Sequence, residues 1–390
     1  MSLLTFTASS KATENLSIDD FLKRVNEKNL SLKAAIADVD AAKARAVGFE
    51  IPPPSLGLLQ VNSQGGNSGG FEFNQNIPFP TKLTSNQKAK KFETLSKQAM
   101  LEGSKIEVLA KARLLYVSLW LIGERIKFLN ERKGAIQQHL KLSNASARSD
   151  SFLKIHVLKA ESDLDLLDNE ILEQQQSLRE KQIQLSEISD GDPTKFDFNL
   201  IAPQLSEIPN LRSVEETNQI RAKFFTVESL KASESEAQSS WWPDLSFRFK
   251  EMNATAMSPR SSELMLGISL PFVFFWEPIA NTKSSAAARL KSEIELDQEK
   301  LRVSSRKNSL LSKAQSLKKQ LDLIQDKLLP RAEKRMRLVH NIAPRDVESL
   351  QDHREAMEAF PDLKLKALVL REQFEEVLAE LTSYSSKGSL

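Results

Sequence analysis

The stretch DLSFRFKEM, residues 244–252, decides the fold, because it has the two-residue repeat of a β-strand in a chain that otherwise favours long helices. Its apolar residues alternate with polar and charged ones: Leu245, Phe247 and Phe249 against Ser246, Arg248 and Lys250. Since successive side chains of a strand point to opposite sides, one face is apolar and the other is charged. Two tryptophans, Trp241 and Trp242, stand just before this strand.

The composition of the 390-residue chain excludes several classes of protein. Lys and Arg number 54 and Asp and Glu number 52, so the basic excess expected of a nucleic-acid-binding protein is absent. The chain has no cysteine, which excludes disulfides, thiolate metal sites and cysteine nucleophiles. No apolar run is long enough for a membrane-spanning helix. Residues 1–16 are interpreted as a leader or a truncated signal-peptide remnant, with Ala12 at the cleavage position.

The chain contains an internal duplication. The segment that begins at Pro54 resembles the one that begins at Pro243, and the segment that ends at Phe79 resembles the one that ends at Phe272. Further on, ARSDSFL at residues 147–153 resembles APRDVESL in the same order. Each half therefore predicts a helix, two strands, a very long helix, a turn and another long helix.

The predicted boundaries follow from this duplication. The first repeat covers residues 17–200, with strands at about 55–62 and 70–77 and a helical hairpin at 83–190 whose tip lies near 144–150. Residues 191–210 link the repeats. The second repeat covers residues 211–385, with strands at about 244–252 and 262–270, a hairpin at 279–385 with its tip near 341–346, and a tail at 386–390.

The helical hairpins have the composition of uninterrupted helices, and residues 81–192 contain no proline. Apolar residues recur at coiled-coil spacing in both hairpins: Leu164, Leu167, Ile171 and Leu178, and then Leu317, Leu321, Ile324 and Leu328. Pro330 and Pro361 predict kinks or short breaks in the second hairpin.

The four predicted strands are two-faced, although SLGLLQVN at residues 55–62 alternates less well and predicts a bulge at Leu58 and Leu59. Soluble antiparallel sheets show the same alternation, so a soluble sheet is one interpretation. The aromatic residues around the strand ends favour a membrane sheet instead, because they are typical of a membrane interface.

In a membrane sheet, the polar positions are expected to line a lumen: Glu72, Asn74, Asn76, Ser246, Arg248, Lys250, Glu263 and Ser269. The apolar positions are expected to face lipid or form an aromatic belt: Phe71, Phe73, Phe79, Trp241, Trp242, Phe247, Phe249, Leu264, Leu266, Phe272, Phe275 and Trp276. Four strands cannot close a barrel, whereas three copies supply twelve. We therefore predict a mainly α-helical protein with long helical hairpins and a small β part, in which four strands join a trimeric twelve-strand β-barrel.

The pattern resembles the TolC-type outer-membrane efflux protein family, and within it the heavy-metal, CzcC-like branch. The resemblance is carried by residues 17–46, by IPFPTKLTSNQKA, RLLYVSLW, WWPDLSF and GISLPFVFF, and by the duplicated tips. The glycine usual at the family's tips is missing, and no cysteine is available for a lipid anchor.

This resemblance implies an outer-membrane homotrimer with a large periplasmic part, in which the long helical hairpins form an α-barrel. Such a channel-tunnel passively conducts substrates, here metal ions or small toxic compounds, to the exterior. The implied partners are a periplasmic adaptor protein, an inner-membrane efflux pump and outer-membrane lipid, with no nucleic acid.

Charged and histidine residues surround both predicted tips: Arg148, Asp150, Arg345, Asp346, His139, His156, His340 and His353. The resemblance makes them a gate or an adaptor contact at the periplasmic end. The histidines have two interpretations, a pH- or metal-responsive aperture or solvated surface positions. For Asp150 and Asp346 the resemblance implies an acidic ring that constricts the pore, whereas their positions favour helix N-caps.

No nucleophile–base pair and no phosphate-binding glycine loop occurs in the sequence, so we predict neither an enzyme nor a cofactor. The alternative function is a non-catalytic coiled-coil scaffold or a periplasmic adaptor-like interaction protein.

Overall fold

A computed structural model of the chain describes residues 14–63, 66–146, 153–189, 198–254, 259–269, 273, 275–340 and 347–385. The first repeat contains β1 (Glu14–Leu16), α1 (Ile18–Lys28), α2 (Leu30–Arg45), β2 (Ser55–Ser63), β3 (Gly66–Ile77), α3 (Pro80–Ser146) and α4 (Leu153–Ile188). The linker and second repeat contain β4 (Phe198–Leu200), α5 (Asn218–Gln238), β5 (Leu245–Met252), β6 (Ser261–Ile268), α6 (Trp276–Leu323), α7 (Leu329–His340) and α8 (Val347–Thr382).

The predicted fold class is confirmed, because the same order of elements occurs twice in a mostly helical chain. In each half a helix leads to two strands, which are followed by a very long helix and a returning helix. Among the described residues, no helix combines the length and the apolar composition needed to cross a membrane.

The chain divides into two compact units, and each unit takes segments from both repeats. Unit 1 consists of Met1–Lys33, Ser104–Arg212 and Ser305–Leu390. Unit 2 consists of Ala34–Gly103 and Ser213–Ser304, and it contains the four long strands.

Tyr116 of α3 lies at the centre of the core of unit 1. Its side chain is fully buried, and its ring centroid lies 6.1 Å from that of Phe21. The hydroxyl lies 2.7 Å from the carbonyl oxygen of Leu16 and 2.9 Å from that of Ile201. Because burial raises the pKa of the Tyr116 phenol, the group keeps its proton and donates to these carbonyls.

The two carbonyls belong to segments that are far apart in sequence. Strand β1 pairs in parallel with β4, so that Leu16 lies opposite Leu200. Residues 14–16, at the end of the predicted leader, are therefore part of the fold, and so is a strand of the predicted linker. Tyr116 joins both strands to α3.

The coiled-coil spacing of the hairpins corresponds to buried seams. Leu167 and Ile171 of α4 pack with Leu129 of α3 in one apolar cluster. In the second hairpin, Leu317, Leu321 and Ile324 are buried. These seams follow the heptad-like positions of the sequence.

The two prolines of the second hairpin behave differently. A single π-helical turn, Ile324–Leu328, lies just before Pro330. Proline lacks the amide hydrogen for the normal helical bond and its ring crowds the preceding turn, so a wider turn accommodates it. Helix α8 continues through Pro361 from Val347 to Thr382, without a break.

We expect Tyr116→Phe to lower the stability of the protein by about 1–3 kcal/mol, because buried carbonyl oxygens lose their donor. Thermal unfolding of the purified protein, followed by circular dichroism, measures this loss. Glu131→Gln changes an exposed residue of the same helix and is the matched control, with an unchanged midpoint. Equal midpoints for both variants would contradict the role given to the hydroxyl.

Candidate functional site: a two-faced sheet and its aromatic rim

The four long strands form one antiparallel sheet in unit 2, in the order β2-β3-β5-β6. The hairpin β2-β3 comes from the first repeat and β5-β6 from the second, and β3 pairs with β5 to join them. This pairing runs from Gly70 opposite Met252 to Ile77 opposite Leu245. The register therefore fixes which residues of the two repeats share a face.

One face of the sheet is polar. Cross-strand pairs place on it the residues predicted for a lumen: Glu72, Asn74, Asn76, Ser246, Arg248, Lys250 and Glu263. Ser269 follows β6, and its hydroxyl accepts a hydrogen bond of 2.7 Å from the backbone amide of Asp244. Met265 lies on the same face, opposite Arg248.

The opposite face is mainly apolar and partly exposed within the chain, with one carboxylate, Glu251, which lies opposite Phe71 and pairs with Arg260. It carries the residues predicted to face lipid on the strands: Phe71, Phe73, Phe247, Phe249, Leu264 and Leu266. The rings of Phe71 and Phe249 lie 5.9 Å apart, and Leu58 next to them is 89% exposed. An exposed apolar surface of this extent marks an interaction site.

The bulge predicted at Leu58 and Leu59 is wrong. Leu58 pairs with Phe71 and Leu59 with Gly70, in an unbroken ladder. Leu59 therefore lies on the polar face, opposite a glycine, while the next residue, Gln60, lies on the apolar face. The pairing with β3 overrides the poor alternation of this strand.

Charges of opposite sign are interleaved on the polar face. Arg248 Nε lies 3.1 Å from Glu72 Oε1. Lys250 stands directly opposite Glu72 on β3 and directly opposite Glu263 on β6. Because these side chains are partly exposed, such pairs stabilise the sheet by only about 0.2–1 kcal/mol each. Their main effect is to balance two carboxylates against two cations on one surface.

Five described aromatic residues belong to the segments that adjoin one end of the sheet, where β3 and β6 end and β5 begins. The rings of Phe79 and Trp242 stack at 5.2 Å. Trp241, Trp242, Phe275 and Trp276 are exposed, and Phe272 lies outside the described residues. We call this group the aromatic rim: Phe79, Trp241, Trp242, Phe275 and Trp276.

Asp244 binds one residue of the aromatic rim, Phe79. Its Oδ1 accepts a hydrogen bond of 2.9 Å from the amide of Phe79 and one of 2.7 Å from the Lys82 ammonium. The carboxylate thus links the start of β5 to the segment between β3 and α3. Sequence reasoning placed Asp244 at the edge of a strand and gave it no role.

The residues predicted for the tips are outside this description. Arg148, Asp150, Arg345 and Asp346 lie outside the described residues, and so do the side chains of His139, His156, His340 and His353. Within the described part of the chain, no group of three or more His, Asp and Glu side chains is arranged to hold a metal ion.

A second polar grouping, in unit 1, was not predicted. The buried Glu375 of α8 accepts hydrogen bonds from the backbone amide of Ser206, at 3.0 Å, and from its hydroxyl. Arg113 of α3 donates a hydrogen bond to that same hydroxyl at 3.0 Å. The Arg371 guanidinium donates a hydrogen bond to the carbonyl of Pro203. It also lies 5.0 Å from the centre of the Trp120 ring. An open cavity of about 290 Å³ adjoins Ser206 and Glu375. These contacts fix the second half of the predicted linker.

Gly70 offers a direct test of the sheet. A Cβ atom at this position would overlap the carbonyl oxygen of Glu251, whereas a Cβ at Gly57 would find its nearest neighbour at 4.0 Å. We expect Gly70→Ala to destabilise the sheet by roughly 1–3 kcal/mol and to reduce the yield of folded protein. Gly57→Ala, in the adjacent strand, is the control and should leave that yield unchanged. Equal yields for the two variants would show that β3 and β5 do not pair as described.

Comparison with known proteins gives structural matches without sequence matches. No family model and no curated protein matches the sequence. The structure of CusC, described in connection with transmembrane channel formation, aligns with a TM-score of 0.78 at 13% identity over 99% of this chain and 97% of that one. The open state of the MtrE outer-membrane channel of Neisseria gonorrhoeae aligns with a TM-score of 0.79 at 13% identity, over 94% of this chain and 88% of that one.

The outer-membrane protein VceC of Vibrio cholerae aligns with a TM-score of 0.76 at 14% identity, over 94% of this chain and 96% of that one. At such low identity the likeness concerns the fold. CusC and MtrE are described as channels, and VceC as an outer-membrane protein. The chain shares the fold of these three proteins, which is the TolC-type fold.

Proposed function

We propose that the protein is the outer-membrane channel of a tripartite efflux system, which passively conducts substrates from the periplasm to the exterior. The observation that carries this proposal is the sheet with one apolar face and one charged face. A sheet of this kind suits the wall between lipid and a water-filled lumen. The fold shared with solved channels supports the same conclusion.

The open edges of the sheet are the reason to propose a trimer. Strands β2 and β6 are its two edges, and lipid tolerates no unpaired backbone groups. All neighbouring strands are antiparallel, so β2 and β6 run in opposite directions. The β6 strand of one copy can therefore pair with the β2 strand of the next in the same antiparallel pattern. Three copies would close a barrel of twelve strands.

In this barrel the polar face would form the lumen, with Glu72, Arg248, Lys250 and Glu263 as its charged groups. The apolar face would contact outer-membrane lipid, and the aromatic rim would lie at the membrane interface. The tips, with the eight charged and histidine residues named above, would form the gate or the contact with an adaptor.

The partners and substrates follow from the family resemblance. We propose a periplasmic adaptor and an inner-membrane efflux pump as partners. We propose metal ions or small toxic compounds as substrates, because the sequence resembles the CzcC-like branch. A soluble scaffold or adaptor-like protein is disfavoured by the apolar face, which such a protein would leave in water.

The proposed assembly predicts a detergent-dependent trimer in preparations from the cell envelope, and step-like conductance in planar bilayers. Light scattering coupled to size-exclusion chromatography, with and without detergent, measures the first property. A monomer or dimer that remains in solution without detergent would overturn the channel and leave the scaffold.

The interleaved charges predict how the lumen selects ions. Replacing Arg248 and Lys250 by Gln leaves the carboxylates of Glu72 and Glu263 unbalanced and should favour cations. Replacing Glu72 and Glu263 by Gln should favour anions. The reversal potential in a salt gradient should therefore shift in opposite directions for the two double variants.

The charge swap, Arg248→Glu with Glu72→Arg, is the matched control, because it keeps both the pair and the net charge. Its reversal potential should equal that of the unaltered protein. If both Gln variants also keep that value, these residues do not line the conducting path.

A further inference from the structure

The segment between α2 and β2, residues 46–54 with the sequence AVGFEIPPP, exposes three large apolar side chains in a row of nine residues. Val47 is 81% exposed, Phe49 52% and Ile51 48%. We call this segment the rim loop. Single exposed apolar residues are common on proteins, whereas three on one short loop require an explanation.

The rim loop is held in a defined conformation. Gly48 has a φ of +73°, which turns the chain just after α2 and strains any other residue. Lys90 Nζ lies 2.6 Å from Glu50 Oε2, and this hydrogen bond lowers the pKa of the Glu50 carboxyl, which stays charged and directed at α3. Three successive prolines, residues 52–54, stiffen the remainder.

The loop therefore separates its side chains by polarity. Its acidic group is bound to a lysine of α3, and its apolar groups project away from the protein. Two contacts hold the middle of the loop: the ion pair of Glu50 with Lys90, and a hydrogen bond from a β3 side chain to the backbone of Pro52.

That contact locates the loop at the foot of the apolar face. Gln75 Nε2 donates a hydrogen bond of 2.8 Å to the carbonyl oxygen of Pro52. Gln75 pairs with Phe247 and so belongs to the apolar face, near the end of the sheet that carries the aromatic rim. The exposed side chains Ile77 and Leu245 lie at the same end.

The segments that adjoin the four strands at the rim end differ in their apolar residues. Aromatic residues follow β3, precede β5 and follow β6, and they form the aromatic rim. The segment that precedes β2 has no tryptophan, and there Val47, Phe49 and Ile51 are exposed instead. At the fourth strand, β2, the rim loop thus supplies the exposed apolar side chains that the aromatic rim supplies at the other three.

We propose that the rim loop dips Val47, Phe49 and Ile51 into the interfacial layer of the lipid bilayer, so that membrane lipid is its partner. The inference rests on the proposed function, since it requires the apolar face above the loop to lie in a membrane. Lipid suits these groups because they are apolar and exposed, and because their loop lies at the end of the sheet that carries the aromatic rim. The exposed carboxylate of the same loop, Glu50, is paired with Lys90. The rival occupant is a second copy of the chain packed along the edge strand β2.

The absence of cysteine from the chain makes a site-directed test clean. Phe49→Cys and Ile51→Cys variants of the full-length protein carry a nitroxide label and are reconstituted in vesicles of phosphatidylethanolamine and phosphatidylglycerol. Electron paramagnetic resonance then measures collisions of each label with oxygen, which partitions into lipid, and with a water-soluble nickel complex. Both sites are exposed, and the second serves if the first variant folds poorly.

Two further labels calibrate the measurement. Leu264→Cys lies on the apolar face of β6 and reports whether the sheet is in lipid. Ala37→Cys lies on an exposed position of α2 and reports contact with water. For each label, the ratio of the oxygen collision rate to the nickel collision rate measures contact with lipid. We expect this ratio at the loop labels to be several times higher than at the Ala37 label and lower than at the Leu264 label.

The other outcomes overturn the inference in distinct ways. Nickel collisions equal to those at Ala37 would place the loop in water. Low collision rates with both reagents would mean that a second copy covers it. If the Leu264 label reports lipid while the loop labels do not, the loop inference fails and the channel stands. If the Leu264 label also reports water, the proposed function itself fails.

Discussion

The pairing of β3 with β5 is the constraint on which the rest of the sheet depends. It joins a hairpin from each repeat, and an isolated two-stranded hairpin is at best marginally stable. The close approach of Gly70 to the Glu251 carbonyl shows how tightly the two backbones meet there. Without this ladder the two hairpins would present four open edges rather than two.

The register of that pairing determines which side chains share a face of the sheet. Because strand side chains alternate with a period of two, a slip of β5 by one residue along β3 would move Phe249 to the charged face of β3. The observed register instead sets Glu72 beside Lys250 and Phe73 beside Phe249. A surface that can meet lipid and a surface that can meet water follow from one alignment of eight residue pairs.

Much of this arrangement was predictable, because alternation and duplication are local signals. The alternation of apolar and polar residues in β5 is enough to predict that Phe247 and Arg248 lie on opposite faces of the sheet. The failure at Leu58 and Leu59 has the opposite cause. Their placement depends on β3, a partner that periodicity within β2 cannot reveal, and the pairing won over the local pattern.

Contacts between residues far apart in the chain could not be predicted from the sequence for the same reason. Nothing in the neighbourhood of Tyr116 indicates that its hydroxyl meets Leu16 and Ile201, and nothing around Glu375 indicates Ser206. The rim loop was overlooked because Val47, Phe49 and Ile51 resemble the start of a buried segment. Their exposure is visible only once Glu50 and Pro52 are seen to bind α3 and β3.

The two repeats have diverged in charge, and this divergence favours pairing of a strand from one repeat with a strand from the other. Strand β3 of the first repeat supplies Glu72 to the polar face, whereas β5 of the second repeat supplies Lys250 opposite Glu72 and Arg248 opposite Asn74. Pairing β3 with a β3 strand of another copy would bring carboxylates together, and pairing β5 with β5 would bring cations together. Like charges opposite each other destabilise a sheet. The charge pattern therefore disfavours pairing between like strands and favours β3 against β5, which leaves β2 and β6 as the edges open to a neighbouring copy.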